Sequence, residues 1–495
     1  MDVKKKILTG GMWLAAGTVI TSILAYVFRF VLIKELSIED YGLYYAIISI
    51  FLFATTLIEL GRNPAIVKFA SEQLAKSRKA CVKYLIQYYL KFTAKLSILF
   101  IILVFAAADF LAKNYFKDPR AYWIFIVLGI FYALYVVLLN FISTLFIAFQ
   151  DGKNHSMYDV FKIILQVVLL FVFLHQGFGI WSPIIAVTLG QLGASIVFYT
   201  VFVKKHFQGF FKLKSKPVPL GPVAGFAYAS VLYSMGTYIL NYTDTYMLTY
   251  FTDLAEVGLY NVAAPTARIV MFFSLAITLL IAPIASTLYA KKQKKVLSEV
   301  INMVYKIGLV FFLPMALVLI SYPGLVLATL FSSEHAAAAM PLMILSISSI
   351  FALFFSINVN FFNGIGRPEI NTKIIAAVAV LNVLLNFLLI PKWGMSGAAI
   401  STMTGYLIMC IASFIVIKRL NAISLRFDYF AKFALISTVF LASVHYLKLW
   451  IVIRNVWVEM FVVLSLAGII YFGLVFLTRA LTVNNIKDVV RLYAK

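Results

Sequence analysis

The chain is a succession of long apolar runs broken by short polar, mostly basic, interruptions. A helix that crosses a bilayer needs roughly 20 mostly apolar residues. Fourteen stretches meet that requirement, at about residues 12–33, 42–61, 94–112, 121–149, 158–175, 180–203, 220–251, 257–288, 300–321, 339–362, 373–391, 394–417, 431–448 and 455–478. The third is expected to begin before residue 94, as an amphipathic extension through Tyr84, Gln87 and Lys91. The segments 158–175/180–203 and 373–391/394–417 form tight pairs. The opening Met1-Asp-Val-Lys-Lys-Lys is like the start of a signal peptide. The apolar run behind it is long and lacks an Ala-x-Ala site, so it is expected to stay as the first helix.

Composition agrees with this pattern. Of 495 residues, 63% are hydrophobic and 12% charged, against about 25% charged in soluble domains. Lipid must therefore be the solvent for most of the surface. The 45 Phe and 28 Tyr suit the aromatic belts of membrane interfaces.

The net charge of +23 would suggest nucleic acid in a soluble protein. Alternating the segments from an inner N-terminus puts 31 of the 42 Lys and Arg on the inner side, seven on the outer side, and four (Arg29, Lys91, Lys95 and Arg268) within or beside helices. The excess of positive charge fixes both ends in the cytoplasm, and no nucleic-acid partner is needed to explain it. The two cysteines, Cys81 and Cys410, imply neither a disulfide framework nor a metal site.

An internal repeat recurs at an offset of 214 to 216 residues. Tyr41-Gly-Leu-Tyr44 returns as Val257-Gly-Leu-Tyr260, Phe149–Lys153 as Asn363–Arg367, and the stretch from Gly179 as that from Gly394. Thr188–Leu192 returns as Met403–Leu407, and Lys204-Lys205 as Lys418-Arg419. Six helices per copy make the repeat parallel, with its pseudo-two-fold axis along the membrane normal. The expected fold is all-α integral membrane. Two six-helix lobes, residues 1–210 and 211–425, form a V around a central cavity, and 426–495 adds two helices and a cytoplasmic tail.

The loops argue against an enzyme. The longest outer loop, about Ser321 to Ala338, holds Glu334 as its single acid. No phosphate-binding loop or paired His/Cys spacing occurs, and the five His are scattered.

Ionisable groups at bilayer depth are costly and usually face a cavity or a partner. Arg268 lies eleven residues past Val257, about 16 Å into the membrane and just after Pro265. It reads as a cavity-lining anion binder or as a buried, paired arginine. Arg29, near the outer end of the first helix, maps at the repeat offset onto Asp244 in the seventh. The two could meet as a gate when the outer side is shut. Alternatively, Arg29 snorkels to headgroups and Asp244 pairs within its own lobe. Glu59 reads as a proton or cation site, or as an interfacial acid paired with Arg62. Lys91 and Lys95 share a face and are expected to reach cytoplasmic headgroups, or else to attract an anionic substrate into the inner mouth. A guanidinium at mid-depth suits a phosphate or pyrophosphate, which it can bind bidentately.

The motifs Glu39–Tyr44, Leu60-Gly61, Ala65–Glu72, Glu256–Ala263, Asn363–Arg367 and Asn386–Ala399 run in a familiar order. The chain resembles the polysaccharide-transporter branch of the multidrug/oligosaccharidyl-lipid/polysaccharide exporter superfamily, the oligosaccharide flippases. The resemblance implies transfer of a polyprenyl-linked oligosaccharide from the cytoplasmic to the outer leaflet by alternating access. It places Arg29 and Arg268 on helices one and eight, whose arginines line the cavity in related flippases. Arg29 stands in the helix where the drug-exporter branch often carries acids. The resemblance further implies membrane lipids, and glycosyltransferases or a polymerase of the same pathway, as partners. No cofactor or metal is expected, with Glu59 and Asp244 as candidates for coupling a proton or monovalent cation, and the chain is expected to be a monomer. The alternatives are a multidrug or small-solute exporter and a non-transporting scaffold of the same fold.

Overall fold

The computed structural model describes residues 3–209, 212–272, 275–420, 423–424 and 428–480. Arg426, Lys487, Arg491 and Lys495, counted above among the inner basic residues, lie outside them. The described helices are α1 (Val3–Glu35), α2 (Ile38–Glu59), α3 (Arg62–Ala75), α4 (Lys79–Phe110), α5 (Ala121–Leu134), α6 (Phe141–Ala148), α7 (Gly152–His175), α8 (Trp181–His206) and α9 (Gly221–Phe251). They continue with α10 (Leu254–Phe272), α11 (Leu275–Ala290), α12 (Lys294–Ser321), α13 (Pro323–Leu330), α14 (Ala339–Gly364), α15 (Glu369–Leu420), α16 (Asp428–Trp450) and α17 (Val456–Leu477).

Among the described residues, ten helical segments are long and apolar enough to cross a membrane, and the protein is a multi-pass membrane protein. The ten join 373–391 to 394–417 and omit 121–149, 220–251 and 257–288. Two of these differences have visible causes. A π-helical turn, Tyr135–Leu139, divides α5 from α6. The 52 residues of α15 are two helices folded back at Gly394, whose φ/ψ of 51°/−134° are not helical. Asn382 Nδ2 donates to Ser401 Oγ at 3.0 Å across that turn. As expected, α4 begins well before residue 94.

Local chemistry sets the ends. Ser37 caps α2 by accepting from the Asp40 N–H at 3.1 Å, and Glu39 and Asp40 occupy its first turn, where the helix dipole favours acids. α2 stops where Leu60 and Gly61 turn left-handed, with φ of 44° and 66°. Asp151 caps α7, accepting from the Asn154 N–H at 3.2 Å.

Backbone turns recur near the repeat offset, with Gln150 answered by Gly366, two residues beyond Gly364, its partner in the aligned motif. Left-handed residues stand at Ser77 and Lys292, at Gln150 and Gly366, and at Gly179 and Gly394. In the first two pairs the following N–H reaches back to close the helix in the same way. Arg78 N donates to Gln73 O and Gln293 N to Leu288 O; Asp151 N donates to Phe146 O and Arg367 N to Phe362 O.

The chain divides into two compact units, Met1–Gly258 and Leu259–Lys495. In the first, α9 packs on α2 and α3, beyond the expected lobe boundary at 210. Two close approaches there mirror each other. A Cβ on Gly42 would lie 1.9 Å from the Leu254 carbonyl oxygen, and one on Gly258 would lie 2.2 Å from that of Ile38. In the second unit, α16 and α17 join the core built on α12. Tyr471 Oη donates to Leu309 O at 2.8 Å, and Lys448 Nζ to Ser321 O at 2.8 Å.

Candidate functional site

The first unit concentrates polar chemistry where α1, α2, α5 and α9 meet. Arg29 is half-buried on α1. Its guanidinium carbon stands 4.6 Å from the Tyr45 ring centroid, and it hydrogen-bonds Tyr45 with Tyr41 and Tyr242 nearby. Among the described residues Arg29 makes no ion pair. Its charge is therefore held by π faces and phenol oxygens, which stabilise a guanidinium without neutralising it.

Tyrosines continue from there. Tyr238, Tyr242 and Tyr246 recur every four residues along one face of α9. Tyr238 and Tyr242 are near-parallel at 5.8 Å, and Tyr246 Oη donates to Ser49 O on α2 at 2.7 Å. Tyr132 of α5 lies near Tyr45, Tyr238 and Tyr242, and Tyr135 near Tyr132 and Tyr238. The π turn that carries Tyr135 releases carbonyls from the normal helical ladder. Tyr89 Oη reaches Val136 O at 3.2 Å, Tyr158 Oη reaches Leu139 O at 2.8 Å, and Tyr199 Oη binds Leu138 O. A π turn held in this way is often a feature of functional sites.

Glu59 stands at the other end of this tyrosine belt. Asn140, the residue after the π turn, donates its Nδ2 to Glu59 Oε1 at 3.4 Å, and Asn63 also bonds the carboxyl. Tyr89, Tyr135 and Tyr238 are nearby. Among the described residues Glu59 and Arg62 form no ion pair. Arg62 is buried, donates Nη1 to the Glu59 carbonyl at 3.4 Å, and lies 3.4 Å from the Phe92 ring centroid.

Asp244 is buried in α9. At about 100° per residue it falls about 200° round that helix from Tyr242, away from the tyrosine face. In this conformation Arg29 therefore sits with tyrosines and is not brought to Asp244. Arg268, in the second unit, is half-buried on α10, which stays helical through Pro265. Among the described residues it forms no ion pair. Lys91 and Lys95 are exposed on α4. The tyrosine belt was missed by reading tyrosines as interface residues. The four-residue spacing on α9 was the available signal.

Residues 7–289 match the family model described as polysaccharide biosynthesis protein. The chain belongs to that family. Residues 229–388 also match the MatE model. An uncharacterized membrane protein, MJ1068, of Methanocaldococcus jannaschii is 28% identical over 99% of both chains. The probable low-salt glycan biosynthesis flippase Agl15 of Haloferax volcanii is 22% identical over 53% of this chain and 56% of its own. Among solved structures, the lipid II flippase MurJ in an inward closed conformation superposes with a TM-score of 0.73 at 14% identity, covering 94% of this chain and 98% of its own. An inward-facing multidrug resistance MATE transporter gives 0.66 at 16% identity, covering 85% and 95%. The fold is thus that of the exporter superfamily, and the chain stands in its polysaccharide-transporter branch.

Proposed function

We propose that this protein is a flippase that carries a polyprenyl-phosphate- or pyrophosphate-linked oligosaccharide from the cytoplasmic to the outer leaflet by alternating access. The observation that carries the reading is Arg29, whose charge is held by tyrosines and left available to an anion. Tyrosine rings offer apolar faces and hydroxyls to sugar rings, and a guanidinium offers paired donors to phosphate.

In this reading fourteen helices cross the membrane, with both termini in the cytoplasm. Two parallel six-helix lobes form a V around the cavity, and α16 and α17 are appended. Arg268 binds the phosphate region from mid-membrane. Arg29 turns from its tyrosines to Asp244 when the outer side shuts. Glu59, held by two asparagine amides, takes the coupling proton or monovalent cation. The protein works as a monomer on substrate supplied by glycosyltransferases. The MatE match favours a second reading, export of a small solute. Vesicles containing the protein and a fluorescent lipid-linked oligosaccharide separate the two. Sugar that crosses supports the flippase, whereas small-solute export without sugar movement overturns it.

A further inference from the structure

A second concentration of charge lies at the turn between α3 and α4, where Lys76, Arg78 and Lys79 are exposed. The segment that joins α8 to α9 brings three more exposed bases to it, Lys212, Lys214 and Lys216. Two hydrogen bonds clip that segment to α4. Lys83 Nζ donates to Leu213 O at 2.8 Å, across 130 residues of sequence, and Lys216 N donates to Ala80 O at 3.1 Å. Lys83 is itself buried, and Leu213 packs on a core that includes Val82, Ile86 and Phe207. Pro217 and Pro219 restrict the backbone just beyond the clip. The six bases therefore share a surface that is held in place.

Among the described residues none of the six forms an ion pair. Glu72, exposed on α3, is the nearest acid in sequence. Like charges gathered in this way repel one another, and a partner of opposite sign offsets that cost.

Position along α4 decides between a membrane and a protein as that partner. Among the described residues of α4, the first exposed large apolar side chain is Ile98, and the exposed series continues through Leu99, Ile102 and Leu103 to Phe110. The face of α4 toward lipid thus begins at Ile98. Lys79 lies nineteen residues earlier, about 28 Å along the helix, or about 22 Å along the membrane normal at a tilt of 40°. The headgroup layer takes up about 5–8 Å of that. The patch stands beyond the headgroups by more than the Debye length of about 8 Å, where the charge of a lipid surface is largely screened.

We infer that this patch docks an acidic segment of a cytoplasmic protein, a run of Asp and Glu carboxylates met by the exposed lysines and arginine. The cytoplasmic placement rests on the orientation proposed above. The docking itself does not depend on transport.

The full-length protein in phosphatidylcholine nanodiscs, which leave both faces open, would be titrated at physiological salt with a fluorescent polyglutamate peptide, a polyserine peptide of the same length and a short single-stranded RNA. The glutamate peptide should bind and the serine peptide should not. The combined change Lys212→Gln, Lys214→Gln and Lys216→Gln should weaken binding about tenfold, the product of three exposed ion pairs worth roughly twofold each. Lys76→Gln, Arg78→Gln and Lys79→Gln together should do the same. Lys291→Gln, Lys292→Gln and Arg419→Gln, equal in charge and outside the patch, should leave binding as in wild type. The melting temperature of each variant without peptide separates lost binding from lost folding. Equal weakening by the control variant, or unchanged binding in both patch variants, would overturn the site. Tighter binding of RNA than of the glutamate peptide would overturn the protein assignment. A fluorophore on Ser215→Cys, with Cys81 and Cys410 buried, should escape quenching by headgroup-nitroxide lipid in nanodiscs that contain phosphatidylglycerol. Strong quenching there would make the membrane the occupant and overturn the inference.

Discussion

Gly42 and Gly258 occupy mirrored positions. Each is the point at which one copy of the Gly-Leu-Tyr motif lies against the backbone carbonyl at the start of the other copy's helix, Leu254 O for Gly42 and Ile38 O for Gly258. The sequence repeat and the packing thus share one relation, because exchanging the copies exchanges the two contacts. A side chain at either position must push a carbonyl away. Gly42→Ala and Gly258→Ala should each destabilise the protein by about 1–3 kcal/mol, the usual cost of overpacking. Gly468→Ala, with open space around it, should not. Thermal unfolding of the purified protein checks this, and equal melting temperatures for all three variants would remove the contact's importance.

Substitution of either Arg29 or Arg268 should slow transport. Arg29→Gln leaves the tyrosines without their cation and should slow transport about tenfold or more, the scale of one charge-assisted contact. Arg268→Ala should do the same, and normal lipid movement in that variant would contradict the anion-site assignment. Arg29→Asp and Asp244→Arg should each be inactive, and the double swap should regain part of the activity. Absence of any rescue would count against the gate.

Glu59 is held by Asn140 and Asn63 and forms no ion pair with Arg62 among the described residues. Glu59→Gln should therefore preserve folding and abolish the response of transport to an imposed proton or sodium gradient. A gradient response equal to wild type would remove Glu59 from the coupling role.

Asp151, at the N-terminus of α7, titrates outside the membrane. Burial alone would raise its pKa, but hydrogen bonds from His206, Lys205 and Asn154 outweigh that and hold it below the usual carboxylate range. His206 Nε2 and Lys205 Nζ lie 2.6 and 2.8 Å from its Oδ2. A depressed carboxylate adds stability above its unfolded pKa of about 3.9 and loses it as the pH falls below that value. Asp151→Asn should lower the melting temperature at pH 7 and flatten its decline on acidification. Parallel pH profiles for the two proteins would contradict this.

The helices were legible because their signal is length and hydropathy, which lipid imposes directly. The repeat was legible as well, down to the Gly179/Gly394 turn, whereas the aligned motif sets Gln150 against Gly364 and the matching turn lies at Gly366. The site was less so. Arg29, Asp244, Glu59 and Arg268 stand out as charges in apolar runs, but the partners of Arg29 and Glu59 are neutral. Asn140, Asn63, Tyr45 and Tyr242 carry no such mark, and the Tyr135–Leu139 π turn leaves no pattern in a segment that reads as one helix. Helical phase matters too. The offset that pairs Arg29 with Asp244 does not reveal that Asp244 faces away from Tyr242 on α9.

The most direct test of the flippase reading is the rate at which a fluorescent polyprenyl-pyrophosphate oligosaccharide crosses vesicles that contain the purified full-length protein. The account predicts exchange between leaflets well above that of protein-free vesicles, and exchange slowed about tenfold or more in Arg29→Gln. Sugar-lipid that stays in its original leaflet, at the protein-free rate, would contradict it.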